Sequence, residues 1–271
     1  DTITATYCTP LPAGTYTVDV AGSGPNNFTT IGALVDIMNC GGIGGPIDIN
    51  IAAGTYIEQI SLSYIRGVSA TNYIRFNGAS NTTTTIQMPA NITGNASLFE
   101  MVGTSHVKIE NIRFRSNPLS NSALIRIAGI SDSIYIANND LAFNFSTTLS
   151  CFNITFGAAT TGSGGYESKG TIIENNRMEF GYGGVNSRSS SLAANTSDIT
   201  IFNNIFRNHY YSAFYGNYSS NINFDKNDIQ MLSNNVSYPV YLSYGNNVKI
   251  TRNNIRNIGN SGIYLFSGNN Y

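Results

Sequence analysis

Short strands of alternating apolar residues, an asparagine recurring in register through the second half, and one short amphipathic helix near the start predict an all-β solenoid. We read it as a right-handed parallel β-helix with an amino-terminal amphipathic capping helix, the hand following from the crossover rule for parallel strands. The unit is plainest in its last copy, Val248 to Asn270. Val248 and Ile250 alternate, Asn253 and Asn254 mark a turn, and a further strand lies around Ile263 and Leu265. The closing Ser267-Gly268-Asn269-Asn270 nearly repeats Tyr244-Gly245-Asn246-Asn247 one unit earlier.

Residues 1–45 read as a cap. The first 26 are strand-like and turn-rich, with Thr15-Tyr16-Thr17-Val18 alternating between Gly14 and Gly22. Ile31, Leu34, Val35 and Met38 then fall at i, i+3, i+4 and i+7, one apolar stripe that predicts a helix over about 29–40. Thr29 or Thr30 can cap its start, and Gly41-Gly42 supply a left-handed stop. Such a helix covers the open end of the first sheet layer, whose unpaired N–H and C=O groups would otherwise recruit other chains.

Residues 46–271 read as the solenoid. Ile47 to Ile51, Ile57 to Leu62, Tyr73 to Phe76 and Thr85 to Met88 open a series of strands punctuated by Gly, Asn and Ser. Farther on, the pattern apolar-x-x-Asn-x-apolar occurs five times, at Asn139, Asn176, Asn204, Asn227 and Asn253, with separations of 37, 28, 23 and 26 residues. Ile109-Glu110-Asn111-Ile112 is a shorter relative 28 residues before the first. The longest interval contains Thr160 to Gly165, a Gly/Ser/Thr run that reads as a loop inserted into one coil. Units this short cannot hold a strand-helix-strand crossover of about 30 residues, and they are too strand-rich for paired helices. Three short strands per turn fit them. Stacked about 4.8 Å apart, they make roughly nine coils and a rod of about 45 Å.

The asparagine column follows from the same geometry. A sharp bend between strands favours a residue that tolerates left-handed backbone angles, and asparagine does. Turned inward, a lone amide would leave buried groups unsatisfied at about 1–3 kcal/mol each. Identical amides stacked on successive coils satisfy one another and form a ladder.

These coils resemble the parallel β-helix repeats of the pectin-lyase-like superfamily. The run Phe28-Thr29-Thr30-Ile31 through Gly44-Gly45-Pro46-Ile47-Asp48-Ile49, with Gly54-Thr55-Tyr56-Ile57-Glu58-Gln59-Ile60, resembles the opening of large secreted β-helix surface proteins exported by the type IX route. The resemblance implies a secreted or cell-surface location. It leaves the chemistry open, because that superfamily holds enzymes, adhesins and structural rods alike.

Composition narrows the classes. Charged residues make up 11% of the chain and the formal net charge is −1, so there is no basic stripe for nucleic acid. No apolar run approaches the length of a membrane span. The 37 asparagines would suit a disordered chain, but frequent, alternating isoleucines supply the apolar surface for a fold. Four lysines are few for a cytosolic protein and suit a secreted one. Three cysteines exclude a framework in which all are paired, and their spacing does not suit zinc. Cys8 and Cys40 flank the cap and are a candidate bridge in an oxidising compartment. Nine Asn-X-Ser/Thr sequons, among them Asn27, Asn91, Asn153 and Asn217, are close to the number chance supplies and carry no signal. Asp1 begins no basic, apolar leader, so a secretory signal is expected to have been removed.

Two function classes remain. One is a structural, adhesive or carbohydrate-binding surface. Tyrosines favour the later coils, and Tyr241 and Tyr264 hold the same place in Val-Tyr-Leu and Ile-Tyr-Leu. With the flanking aliphatics inward, both rings point out and stack on one face. Tyr210, Tyr211, Tyr241 and Tyr264 are therefore candidates for contact with a polysaccharide or cell-surface glycan, with other copies, or with surface proteins by lateral contact.

The alternative is a polysaccharide lyase or glycoside hydrolase. The resemblance implies that a lyase would hold calcium with clustered carboxylates, the one cofactor in view. Aligning coils on the ladder places Asp140 beside Arg177 and Glu179 beside Arg207, acid against base, as in exposed cross-strand ion pairs. Asp225 and Asp228 with Arg207 and Arg256 are the candidate catalytic cluster. His106 and His209 have no acid or cysteine at ligand spacing, so no metal site is expected. The end at Tyr271 interrupts a repeat, and further coils or a sorting domain are expected beyond it.

Overall fold

The computed structural model describes residues 8–145, 150–157, 168–189, 196–233 and 237–270. The loop expected at Thr160 to Gly165 lies outside these residues. Strands β1 (Gly14–Val18) and β2 (Asn27–Phe28) pair in parallel and precede helix α1 (Ile31–Gly41). The first coil follows as β3 (Ile47–Ile51), β4 (Gly54–Ile57) and β5 (Ile60–Leu62). The cycle then repeats, ending in Asn246–Thr251, Asn254–Arg256 and Ile263–Phe266.

Every first, second and third strand of a coil joins its own parallel sheet, giving, among the described residues, sheet 1 with ten strands and sheets 2 and 3 with eight each. This is the right-handed parallel β-helix that the sequence predicts. Among the described residues eight coils stand in place of roughly nine, because the seven steps from Ile47 to Asn246 average about 28 residues. The interior is filled by columns of like residues. Ile49, Phe76, Ile109, Ile136, Ile173, Ile201 and Phe224 lie one above another in sheet 1, all buried. At the eighth coil, Ile263 and Leu265 continue the columns of Val240 and Leu242 but are 45% and 40% exposed.

The helix runs Ile31–Gly41, starting two residues after the expected 29 and ending one after the expected 40. Thr30 is the N-cap, its Oγ1 accepting from the Ala33 N–H at 3.2 Å. The Glu58 carboxylate, from the turn between β4 and β5, accepts from the N–H groups of Ile31 and Gly32 at 2.9 and 2.8 Å. That places a negative charge on the positive end of the helix dipole. Asn39 then borders the edge of β5, donating to Ser61 O and accepting from Ser63 N–H. The expected apolar stripe is buried, and the helix lies across the open end of sheet 3. β1 and β2 cover the end of sheet 1. At the far end of the helix Gly42 has φ 77°, and a Cβ there would meet Arg66 O at 2.5 Å, so only glycine fits. Cys8 and Cys40 form a disulfide that ties the amino-terminal segment to the helix.

The turn between sheets 1 and 2 corrects one expectation. Left-handed angles and inward amides belong to two adjacent residues, not to one. Asn138, Asn175, Asn203, Lys226 and Arg252 carry the positive φ, between 53° and 57°, and face outward. The ladder asparagine follows each of them with ordinary backbone angles. Asn111 falls in the left-handed column, aligned with Asn138, and Ile112 occupies the first rung.

Candidate functional site

The ladder runs unbroken through five coils. Asn139, Asn176, Asn204 and Asn227 are each 1% exposed, and Asn253 is half-buried. From Asn176 onward each Oδ1 accepts two bonds from the coil before it. Asn176 Oδ1, for example, takes the Asn139 N–H at 2.9 Å and the Asn139 Nδ2 at 3.0 Å. Each Nδ2 also reaches a main-chain carbonyl, as Asn204 does to Ile173 O at 2.9 Å. Ile112 N–H closes the first rung on Asn139 Oδ1. These amides are consumed by the fold.

The charged cluster separates into two saturated sites. Asp225 ends a strand of sheet 1 and is 3% exposed. It is gripped by Arg252 through Nε at 2.9 Å and through Nη2, and it accepts from Thr251 Oγ1 at 2.8 Å. The Arg252 guanidinium holds its carboxyl below the usual carboxylate range. Asp228 opens a strand of sheet 2, where Arg207 and Arg256 clamp it from either side and Asn254 Nδ2 donates at 3.0 Å. Partial burial pushes the Asp228 carboxyl up, but the bond from Arg207 and the two neighbouring positive charges outweigh it, so the shift is downward.

The expected registers hold, yet the ion pairs cross them. Asp140 lies opposite Arg177, and Glu179 opposite Arg207. The bonds instead join Asp140 to Arg115 and Arg177 to Glu179 on its own strand. An arginine is long enough to reach diagonally. Arg115 and Arg207 do so identically, each also donating Nη1 to its neighbour's carbonyl and to the carbonyl of the aspartate it pairs, Asp140 or Asp228.

His209 is fully buried beside Phe206, with Nε2 2.7 Å from Asn153 Oδ1, and burial pushes it down to about 3. Asn153 is itself buried, so this sequon is closed in the folded chain. Burial also pushes the Cys151 thiol up to about 11. Among the described residues no group of three His, Cys, Asp or Glu side chains could hold a metal ion.

The tyrosines do gather. The outward column of sheet 3 reads Ser61, Glu100, Arg126, Thr155, Asn186, Tyr215, Tyr241 and Tyr264 from the first coil to the eighth. Its lower part is polar: Arg126 Nη1 meets Glu100 at 3.3 Å, and Asn186 Nδ2 donates to Thr155 Oγ1 at 2.8 Å. Its upper part is aromatic. Tyr215 and Tyr241 stack with centroids 4.7 Å apart at 5°, and Tyr241 and Tyr264 at 5.0 Å and 19°. A second column, Tyr182, Tyr211 and Tyr238, stands at the corner entering the sheet, with Tyr182 and Tyr211 stacked at 5.0 Å and 11°. Tyr211 touches Tyr215, Tyr238 and Tyr241, and Tyr210 leans on Tyr182 at 6.0 Å. The Arg188 guanidinium lies 5.4 Å over the Tyr215 ring and covers the lower end.

All seven rings are half-buried. Burial, and then the neighbouring phenols, hold Tyr182, Tyr211 and Tyr241 above the usual phenol range, so they stay neutral. The patch is not the flat strip of ring faces that the sequence suggests. Centroids at 4.7–5.0 Å, against a contact distance of about 3.5–4 Å, mean rings slipped like shingles, each face partly covered by the next. Ring edges and hydroxyls are what the patch presents, repeated once per coil.

The sequence marks Tyr215 and Tyr238 among the later-coil tyrosines, but only Tyr210, Tyr211, Tyr241 and Tyr264 stand as contact candidates, and Tyr182 is missed. Aligning Phe214-Tyr215-Gly216 with Val240-Tyr241-Leu242 would have put Tyr215 in the same column. Aligning Gly181-Tyr182-Gly183 with Tyr210-Tyr211-Ser212 would have found Tyr182.

Residues 146–271 match the family described as the right handed beta helix region. No curated protein sequence matches the chain. Among solved structures, it is similar to pectin methylesterase PemA from Erwinia chrysanthemi at 13% identity and TM-score 0.49, covering 86% of this chain and 71% of that one. A pectin methylesterase in complex with a hexasaccharide is 14% identical, with TM-score 0.45 and coverage of 74% and 71%. A PL6 family alginate lyase, AlyGC, is 12% identical, with TM-score 0.40, and this chain spans only 40% of it. Likenesses this distant carry nothing about substrate or chemistry.

Proposed function

We propose that this right-handed parallel β-helix is an extracellular glycan-binding rod that reads its ligand with the tyrosine patch on sheet 3. The observation that carries the reading is the set of seven tyrosines over four coils, six of them in two columns and Tyr210 leaning on Tyr182. Each ring is fixed by its neighbours before any ligand arrives, so little side-chain entropy is lost on binding. Each also offers apolar edge and a hydroxyl that can donate or accept, the combination that a sugar's C–H and O–H groups require. The ring spacing suits an extended polymer better than a compact ligand, since contacts recur at every coil. A near-neutral chain with an intramolecular disulfide fits work outside the cell.

A hydrolase needs carboxylates free to exchange protons at separations of about 5–10 Å, and a lyase of the kind the resemblance implies needs them free to hold calcium. Asp225 and Asp228 are instead each neutralised by arginine, which favours binding over catalysis.

The test is Tyr241→Ala combined with Tyr264→Ala, assayed by co-sedimentation with a panel of insoluble polysaccharides. Retention of the wild type by one or more of them, with at least a ten-fold loss in the variant, is expected. That loss corresponds to about 1.4 kcal/mol. Stability should fall by no more than about 1 kcal/mol, the scale of cross-strand pairs. Equal retention of both proteins, or of neither, would overturn the reading. Self-association of the wild type that the substitutions abolish would reassign the patch to contacts between rods.

A further inference from the structure

At the opposite end of the rod, on a different sheet, lies an open cleft of about 400 Å³. The loop between β1 and β2 forms one side, and the first residues beyond β3 form its floor. We propose that this cleft is a second carbohydrate site, for a single neutral sugar unit bearing adjacent hydroxyls. It is independent of the tyrosine patch.

The polar groups are set by a row of amides that runs down the face of sheet 1 and stops in the cleft. Asn111 Nδ2 donates to Asn77 Oδ1 at 2.8 Å, and Asn77 Nδ2 to Asn50 Oδ1 at 3.4 Å. The next coil position holds Thr17, whose hydroxyl donates elsewhere, to Asn27 Oδ1 at 2.7 Å. Asn50 Nδ2 therefore ends the row as an exposed donor with no protein acceptor among the described residues. Across from it, Asp19 Oδ1 takes the Ala21 N–H at 2.9 Å, which fixes the carboxylate and leaves Oδ2 as acceptor. Ser23 adds a hydroxyl. Ala52 and Ala79 give the cleft an apolar floor.

A fixed carboxylate oxygen, an amide donor and an apolar floor match a pyranose in three respects. The carboxylate accepts from sugar hydroxyls, the amide donates to a ring or hydroxyl oxygen, and the floor receives C–H groups. The sign of the charge selects further. Among the described residues Asp19 is the one charged residue lining the cleft and no lysine or arginine shares it, so a uronate or sulfated sugar meets repulsion without compensation. The volume lies within the range of small-molecule sites.

The experiment is saturation-transfer NMR with titration of the intact chain against methyl glycosides of neutral hexoses, with glucuronate as charged comparator. At least one neutral glycoside should bind saturably, and glucuronate at least ten-fold more weakly. Ala52→Phe, which fills the floor, should weaken binding at least ten-fold, and Asn50→Ala should weaken it without changing the floor. Tyr241→Ala with Tyr264→Ala should leave it unchanged, so this site and the tyrosine patch fail separately. No saturable binding by any neutral glycoside, tighter binding of glucuronate, or wild-type affinity in both cleft variants would overturn the proposal.

Discussion

Asn204→Leu tests how much the interior amide column contributes. The side chain is 1% exposed and makes five bonds. Leucine has a similar volume, so the substitution removes polarity and leaves little void. Asn176 loses the acceptor of its main-chain N–H, at 2.9 Å, and Ile173 O loses the amide at 2.9 Å. Phe202 O keeps its bond from Asn175 N–H. Two buried groups stripped at about 1–3 kcal/mol each give a loss of about 2–6 kcal/mol. Asn253→Leu is the internal control. It sits in the same column, accepting from Asn227 N–H and Nδ2, but it is half-buried at the last coil. Water can replace its bonds there, so the loss should be under about 1 kcal/mol. Equilibrium unfolding in urea measures both, and amide exchange at Asn176 reports the orphaned N–H directly. Equal effects at the two positions, or an Asn204→Leu loss below about 0.5 kcal/mol, would refute a ladder held by desolvated amides.

Three further outcomes follow from the same geometry. His209 is held neutral by burial, at about 3 against an ordinary value of about 6.5. The unfolded chain therefore binds a proton that the folded chain refuses. Stability is full above about pH 6.5 and falls by up to about 1.4 kcal/mol per pH unit toward pH 3, a slope that His209→Gln should flatten in a pH series of melts. Asp225 shifts in the ordinary carboxylate direction. Its contribution is present above an unfolded value of about 3.9 and is lost as pH falls through its lower folded value. Asp225→Asn should lower stability at neutral pH and flatten the curve only below about pH 4, a window separate from the upper part of that of His209. At the turn, Asn203→Gly should be nearly neutral and Asn203→Val destabilising by more than about 1 kcal/mol, because residue 203 has φ 53° and is exposed.

What the sequence made legible was whatever repeats. Asn139 through Asn253 announce a column because the same neighbours flank each of them, and the registers that set Asp140 beside Arg177, Glu179 beside Arg207 and Tyr241 beside Tyr264 follow. The division of labour at that turn was not legible. Lys226 and Arg252 fill the left-handed position that asparagine fills elsewhere, so composition does not mark it. Ion pairs were legible only as far as the Cα partners. Arg115 and Arg207 reach past the residue opposite, and a side chain's length cannot be read from register. Glu58 at the start of α1 was hidden for another reason: the contact spans 26 and 27 residues and belongs to no repeat. Tyr182 escaped because it stands between two glycines, with no flanking aliphatics to mark which way its ring points.

The buried amide column and the exposed amide pairs around the rod also point in opposite directions. In the buried column each Nδ2 donates toward the carboxy-terminal end, from Asn139 to Asn176 and onward to Asn253. The exposed pairs donate back, Asn203 to Asn175 at the turn between sheets 1 and 2, Asn111 to Asn77 beside sheet 1, and Asn247 to Asn221 where the chain enters sheet 1. Aligned amides are aligned dipoles, and a single polarised column would build charge at its tips as coils were added. Antiparallel amides oppose one another's fields. A rod wired this way can lengthen by whole coils with little growth in axial polarity, so neither end becomes an electrostatic lure for stray ions or for the wrong end of a neighbour.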